Sequence, residues 1–186
     1  MPTLKVGELR DLDDHALLLL AARCAMRVEP WLPPGAKADW KRGLDAVCRA
    51  GVGAKPRALA RALSDRGAMA CNRLARTDEP LGECMNYATE TLCSALEATL
   101  LVERKLRRKA VIDAAMYAKS IGAVLAHAGR VTAPRGADAV DFACDAMWDA
   151  IRADVAALAG AAHDTTPVAL RALAPLWPRG KPRWVP

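Results

Sequence analysis

Asp11-Leu12-Asp13-Asp14-His15-Ala16-Leu17-Leu18-Leu19-Leu20-Ala21-Ala22-Arg23-Cys24-Ala25-Met26-Arg27-Val28 is the stretch whose reading decides the fold. Asp11 and Asp14 suit the positive N-terminal end of a helix, and Glu29-Pro30 stops it at about Val28. Between them, four successive leucines point in nearly every direction around a helix axis. A helix that is apolar all round its middle is surrounded by other helices. The first inference is therefore a central helix with a bundle built about it.

The rest of the chain supplies the neighbours. After the rigid link Trp31 to Gly35, helices are expected over about 37–50 and 56–76, with Pro56 in the first turn of the second. A helix over about 81–102 sets Met85, Ala88, Leu92, Leu96 and Thr99 on one face and Glu83, Glu90 and Glu97 on the solvated one. The next, about 109–128, carries Ala110, Ala114, Ala118, Gly122 and Ala126 as a ridge of minimal side chains, which lets a neighbouring backbone come close. Whether these two are separate or one rod broken near Arg104 to Arg108 stays open. The last long helix, about 138–160, sets Val140, Cys144, Met147, Ile151, Val155 and Leu158 against Asp138, Asp141, Asp145 and Asp149. A short helix near 167–174 precedes a proline-punctuated end, PLWPRGKPRWVP.

Composition agrees with helices. About a fifth of the 186 residues is alanine, the best helix former, while aromatic residues make up 4%. The longest apolar run, Ala16 to Ala22, is far short of the ~20 residues that a membrane span needs. No basic leader with an apolar stretch opens the chain. The six cysteines show no CxxC pair or zinc-finger spacing and read as reduced core residues. The expectation is an all-α, single-domain, cytoplasmic protein of about six helices over 1–174, with an extended Pro/Trp-rich tail over 175–186 packed upon it.

Chemistry is sparse. Gly51-Val52-Gly53-Ala54-Lys55 lacks the preceding strand and the GK[ST] ending of a phosphate loop, and reads as a helix–helix turn. His15, His127 and His163 stand in no metal-ligand spacing. The carboxylate stripes look like solvated helix faces rather than an acid–base pair in a cleft. No catalytic residue, metal ligand or cofactor site is assigned.

Charge is more telling. The net charge is +6 and unevenly placed: Lys37 to Arg76 holds ten basic and three acidic residues. Arg104, Lys105, Arg107, Arg108 and Lys109 form the densest basic cluster, while from Asp138 to Asp164 there are six aspartates against Arg152 alone. Candidate partner-binding residues are that cluster, the acidic face Asp138, Asp141, Asp145 and Asp149, and the tail tryptophans Trp177 and Trp184. The tail is expected to fold back and insert Trp177 between helices, with Leu176 beside it.

Two segments carry a resemblance. Pro175-Leu176-Trp177-Pro178-Arg179-Gly180-Lys181-Pro182-Arg183-Trp184 resembles the PLWPxGxPxW ending of a group of uncharacterised bacterial Ala-rich helical proteins. Ala21-Ala22-Arg23-Cys24-Ala25-Met26-Arg27-Val28-Glu29-Pro30 resembles the AARCxxRVxP segment that recurs early in the same group. The resemblance covers about a tenth of the chain. It implies a regulatory or adaptor component of a bacterial defence-type system. The function expected is thus a non-enzymatic protein–protein interaction module, an adaptor or regulatory subunit. The first alternative is a small nucleic-acid-binding subunit of a larger complex using the basic cluster. The second is an enzyme whose site assembles from scattered residues.

Overall fold

A computed structural model describes residues 4–51, 55–159 and 166–186. A 3-10 turn, Val6–Leu9, precedes α1 (Asp14–Val28), and a second, Glu29–Trp31, follows it. The chain continues through α2 (Lys37–Cys48), α3 (Pro56–Leu74), α4 (Glu79–Ala98), α5 (Arg104–His127), α6 (Ala139–Leu158) and the short α7 (Pro167–Ala172). No strand occurs among the described residues. The fold is an all-α bundle, with six long helices and one short one among the described residues. Val52 to Ala54, within the glycine turn, and His163 lie outside the described residues.

The four-leucine helix is the centre. Every residue of α1 from Ala16 to Val28 is buried, with α2, α4, α5 and α6 packed around it. Its cap is Asp13 rather than Asp11 or Asp14: Asp13 has extended backbone and its carboxylate accepts the Ala16 N–H at 2.7 Å. Asp14 already lies in the first turn, so it faces the helix end without capping it. Helices α3, α4, α5 and α6 pack as a row in chain order.

Small residues set how tightly that row closes. The ridge Ala110, Ala114, Ala118, Gly122 and Ala126 is buried along its length, and a Cβ at Gly122 would stand 3.3 Å from the Ala143 backbone of α6. At the α3–α4 contact, a Cβ on Gly67 would fall 2.0 Å from Thr89 Oγ1, and one on Gly82 would sit 3.0 Å from Cys71 Cα. These close approaches explain why α3 covers part of the acidic stripe on α4. Glu90, expected in solvent, is half-buried and accepts a 2.7 Å hydrogen bond from Ser64.

Helices α4 and α5 are separate. The break spans residues 99–103, and Arg107 braces it by donating to Leu101 O at 2.6 Å and Ala98 O at 3.3 Å. Those carbonyls sit where a helix end runs out of its own N–H donors. The six cysteines are free. Burial pushes the thiols of Cys24, Cys48, Cys84 and Cys93 up to about 12, leaving them protonated at neutral pH.

Gly67→Ala should lower the urea midpoint. The roughly 1 kcal/mol that alanine gains over glycine within a helix is outweighed by overpacking of about 1–3 kcal/mol against Thr89. Combining it with Thr89→Ala should cost less than the sum of the two single changes. Strict additivity in urea unfolding would show that the α3–α4 spacing relaxes freely.

Candidate functional site

The arrangement that shapes the surface begins in the core. Arg23 and Arg27 stand one turn apart on α1 with their side chains wholly buried, facing the equally buried Asp154 of α6. Asp154 divides its oxygens: Oδ1 accepts from Arg23 Nε at 2.6 Å, and Oδ2 pairs with Arg27 Nη1 at 2.5 Å. Two guanidiniums against one carboxylate leave a surplus positive charge in the interior, which burial tolerates only with further hydrogen bonding. Backbone carbonyls provide it. Arg23 donates to Leu170 O at 2.6 Å and Ala174 O at 2.8 Å, and Arg27 to Leu176 O at 2.8 Å and Ala150 O at 3.0 Å. Three of these four acceptors belong to the end of α7 and the chain just beyond it. There the helix has no more N–H donors, and Pro175 and Pro178 have none to give.

The buried cluster therefore fixes where the tail leaves the core. Leu176 packs on the core, and the Arg27 guanidinium lies 6.0 Å from the Trp177 ring centroid. Trp177 meets Trp184 edge-on at 6.0 Å, and Trp184 stacks on the buried Trp31 at 6.1 Å. Trp177 does not sink between helices. It stays half-buried, because the aromatic floor beneath the tail is Trp31 and the ring that reaches it is Trp184. Two turns bend the segment read from sequence as extended, closed by Gly180 N–H to Trp177 O and by Val185 N–H to Pro182 O, each 3.0 Å. The first depends on Gly180 at φ +84°, a conformation glycine adopts without strain.

Bent in this way, the tail becomes one wall of a groove whose other wall is α6. Its volume is about 630 Å³. Asp138, Asp141, Asp145 and Asp149 line the helix side, with Phe142 and Ala146 among them. The tail contributes Trp177, Pro178, Arg179, Lys181 and Arg183. Two of the carboxylates have duties within the molecule. Asp138 caps α6 by accepting from the N–H groups of Val140 and Asp141, both 2.9 Å, and Asp149 pairs with Arg179 at 3.1 Å. Asp141 and Asp145 are exposed, and their carboxylates form no ion pair among the described residues. The groove thus has a negative helix wall, a positive tail wall and apolar surface between them.

Of the residues singled out from sequence, the acidic face and Trp177 come together here, while Trp184 stands behind Trp177 on Trp31. The basic cluster lies elsewhere, at the start of α5, and is largely occupied. Arg104 donates to Leu12 O at 2.5 Å, Arg107 pairs with Asp14 at 2.7 Å, Arg108 reaches Arg10 O at 3.3 Å, and Lys109 pairs with Asp113 at 2.7 Å. Only Lys105 makes none of these contacts. The cluster fastens the N-terminal segment and the foot of α1 to α5, a structural use that a count of charges does not disclose.

Sequence reasoning passed over Asp154, Arg23 and Arg27 as a unit. The signal was present. Asp154 falls in the apolar series Met147, Ile151, Asp154, Leu158, off the acidic face, and the two arginines interrupt an otherwise apolar helix at i, i+4 spacing. Among the described residues no group of three or more His, Cys, Asp or Glu side chains could hold a metal ion, and no helix is long and apolar enough to cross a membrane. No family model, no curated protein and no solved structure matches the chain.

Asp154→Asn removes the counter-charge of two buried guanidiniums and should cost about 3–5 kcal/mol in urea unfolding. Because the same guanidiniums hold the tail carbonyls, native tryptophan emission should also shift to the red as Trp177 and Trp184 lose their packing. An unchanged midpoint together with unchanged emission would mean that the tail docks independently of the cluster.

Proposed function

We propose that this protein is a non-enzymatic interaction module, an adaptor or regulatory subunit working in the cytoplasm, whose binding surface is the groove between α6 and the tail. The observation that carries the reading is the pairing of two unpartnered carboxylates, Asp141 and Asp145, with the exposed apolar surface of Phe142 and the half-buried ring of Trp177. A lysine or arginine side chain matches that combination. Its aliphatic stem covers aromatic surface while its charged head reaches the carboxylates. The occupant is therefore a basic, extended segment of a partner protein. The tail wall, with Arg183 free of any ion pair among the described residues, favours an acidic residue or a carboxylate in the same segment and so sets its direction.

Several features support binding rather than turnover. The groove is open along α6, and its acids lie together on one solvated helix face rather than in unlike environments inside a cleft. Acid–base catalysis relies on groups whose environments push their proton affinities apart. The resemblance of the chain's two ends to bacterial Ala-rich helical proteins is in keeping with an adaptor of a bacterial defence-type system.

Selection from a random peptide library on the full-length protein tests the reading. Peptides enriched in Arg or Lys beside an apolar residue should emerge. Their binding should weaken by tenfold or more, about 1.4 kcal/mol, in Asp141→Lys/Asp145→Lys. Lys105→Glu, a charge reversal at the distant start of α5, should leave it unchanged. Failure to enrich any basic motif, or equal binding by the groove variant, would overturn the assignment.

A further inference from the structure

The chain's excess positive charge has a location that the paired cluster on α5 does not explain. Helix α3 packs on α4 and α2 through Leu63, Gly67 and Ala70, leaving half its circumference in solvent. At about 100° per residue, Arg57, Arg61 and Arg73 fall within an arc of about 160° on that outer side, and Arg76 follows in the turn just beyond the helix's end at Leu74. All four are exposed, and none has an ion-pair partner among the described residues. Asp65 is the arc's single acid. Arg66, at the edge of the arc, behaves differently: it pairs with Asp39 of α2 at 3.2 Å, and Arg42 pairs with the same carboxylate. That shared acid ties α2 to the middle of α3 and holds the outer face in place. Between the arginines stand Ala58 and Ala68, which add no bulk, and Met69 and Asn72, both exposed.

We propose that the outer face of α3 is a docking surface for double-stranded DNA, with α3 lying in the major groove. Three features on the face itself favour this occupant. First, unpaired arginines spread along one helix are complementary to a polyanion, and Arg57 to Arg73 extends over about 24 Å at 1.5 Å per residue, with Arg76 in the turn just beyond. That matches phosphates repeating along a duplex better than it matches a single small anion. Second, a helix about 10–12 Å across fits a B-form major groove about 12 Å wide, whereas the deep, narrow major groove of A-form RNA excludes it. Third, alanines on the arc permit close approach, while Asn72 and Met69 offer an amide and an apolar group of the kinds that meet base edges and thymine methyls. The surface is independent of the groove on α6, since α3 and α6 stand at opposite ends of the helix row.

Fluorescence anisotropy with the full-length protein and a labelled DNA duplex tests the proposal. Micromolar or tighter binding is expected at about 100 mM salt, with log affinity falling against log salt at a slope of about −3 to −4 for four contacted phosphates. Arg61→Gln/Arg76→Gln should reduce the slope's magnitude by about 1.8 and weaken binding at least tenfold, whereas Lys105→Gln should change it less than twofold. Duplex RNA should bind at least tenfold more weakly than duplex DNA. Both arginines are exposed, so the variants should keep the parent's far-ultraviolet circular dichroism. Absence of micromolar binding at that salt, an effect of Lys105→Gln equal to that of the α3 variant, or equal affinity for duplex RNA would each overturn the proposal. Peptide binding in the α6 groove should be the same for the α3 variant as for the parent, so failure of one assignment is distinguishable from failure of the other.

Discussion

Two buried arginines sharing one aspartate organise this molecule. Arg23 and Arg27 sit on the most enclosed helix, and Asp154 on the apolar stripe of α6. An isolated charge in such a place would be costly; here five of the six guanidinium nitrogens donate to an oxygen, and the sixth, Arg27 Nη1, makes an ion pair with Asp154 Oδ2. The donors also meet a need of the opposite kind. The chain after α7 cannot satisfy its carbonyls by continuing as helix, because proline recurs through it. Core arginines lacking acceptors and tail carbonyls lacking donors answer each other. The arrangement is more directional than apolar packing would be, and it defines one exit path for the tail. The cluster's role is thus the position of the groove wall more than net stability, since buried ion pairs often contribute little to the latter.

This coupling gives a physical reading to the two segments that set the chain apart in sequence. AARCAMRVEP holds Arg23 and Arg27, and PLWPRGKPRW follows directly on Ala174 and begins with the Pro175 and Leu176 whose carbonyls meet them. The first segment also ends beside Trp31, on which Trp184 of the second stacks. Both donors and two of their carbonyl acceptors therefore come from two short stretches some 150 residues apart, while Asp154, Ala150, Leu170 and Ala174 supply the other oxygens. The helices between them carry mostly small apolar faces of the right period, with Asp154 of α6 as the charge that completes the cluster.

Most of the fold was legible because helical period is a local property. The all-round apolar middle of α1, the small-residue ridge of α5 and the apolar stripe of α6 each follow from spacing alone. The helix limits fall within about four residues of those read from sequence except at the start of α5, which begins at Arg104 rather than near 109 and so takes in the basic cluster. What was not legible depended on long-range partners. Glu90 looks solvated until α3 covers it, and Asp154 looks like one more acid on an acidic helix until its turn of the stripe is counted. The cluster at Arg104 to Lys109 looks like a ligand site until Asp14 and the Leu12, Ala98 and Leu101 carbonyls are set against it. The groove was half visible: its acids and Trp177 were singled out separately, and Gly180 joins them by turning the tail back along α6.

Charge density in sequence is a poor guide to charge available at a surface. The five bases at the start of α5 crowd a helix end that lies against another helix and a loop, so acceptors are within reach of four of them. The arginines of α3 are more dilute in sequence, but they lie along the outside of the row's end helix. Asp65 stands among them, and Glu90, Glu97 and Asp113 share a surface hollow with Arg57, yet Arg57, Arg61 and Arg73 form no ion pair among the described residues. Dilution along an exposed helix leaves each cation hydrated and unpaired, which is the state from which a polyanion gains most by releasing its counterions. The same logic applies in reverse on α6, where Asp138 and Asp149 are used internally and Asp141 and Asp145 are left over. The molecule therefore presents an unpaired positive ridge at one end of the helix row and an unpaired negative pair at the other. The helices between them hold the two surfaces apart, so a partner on one would not cover the other.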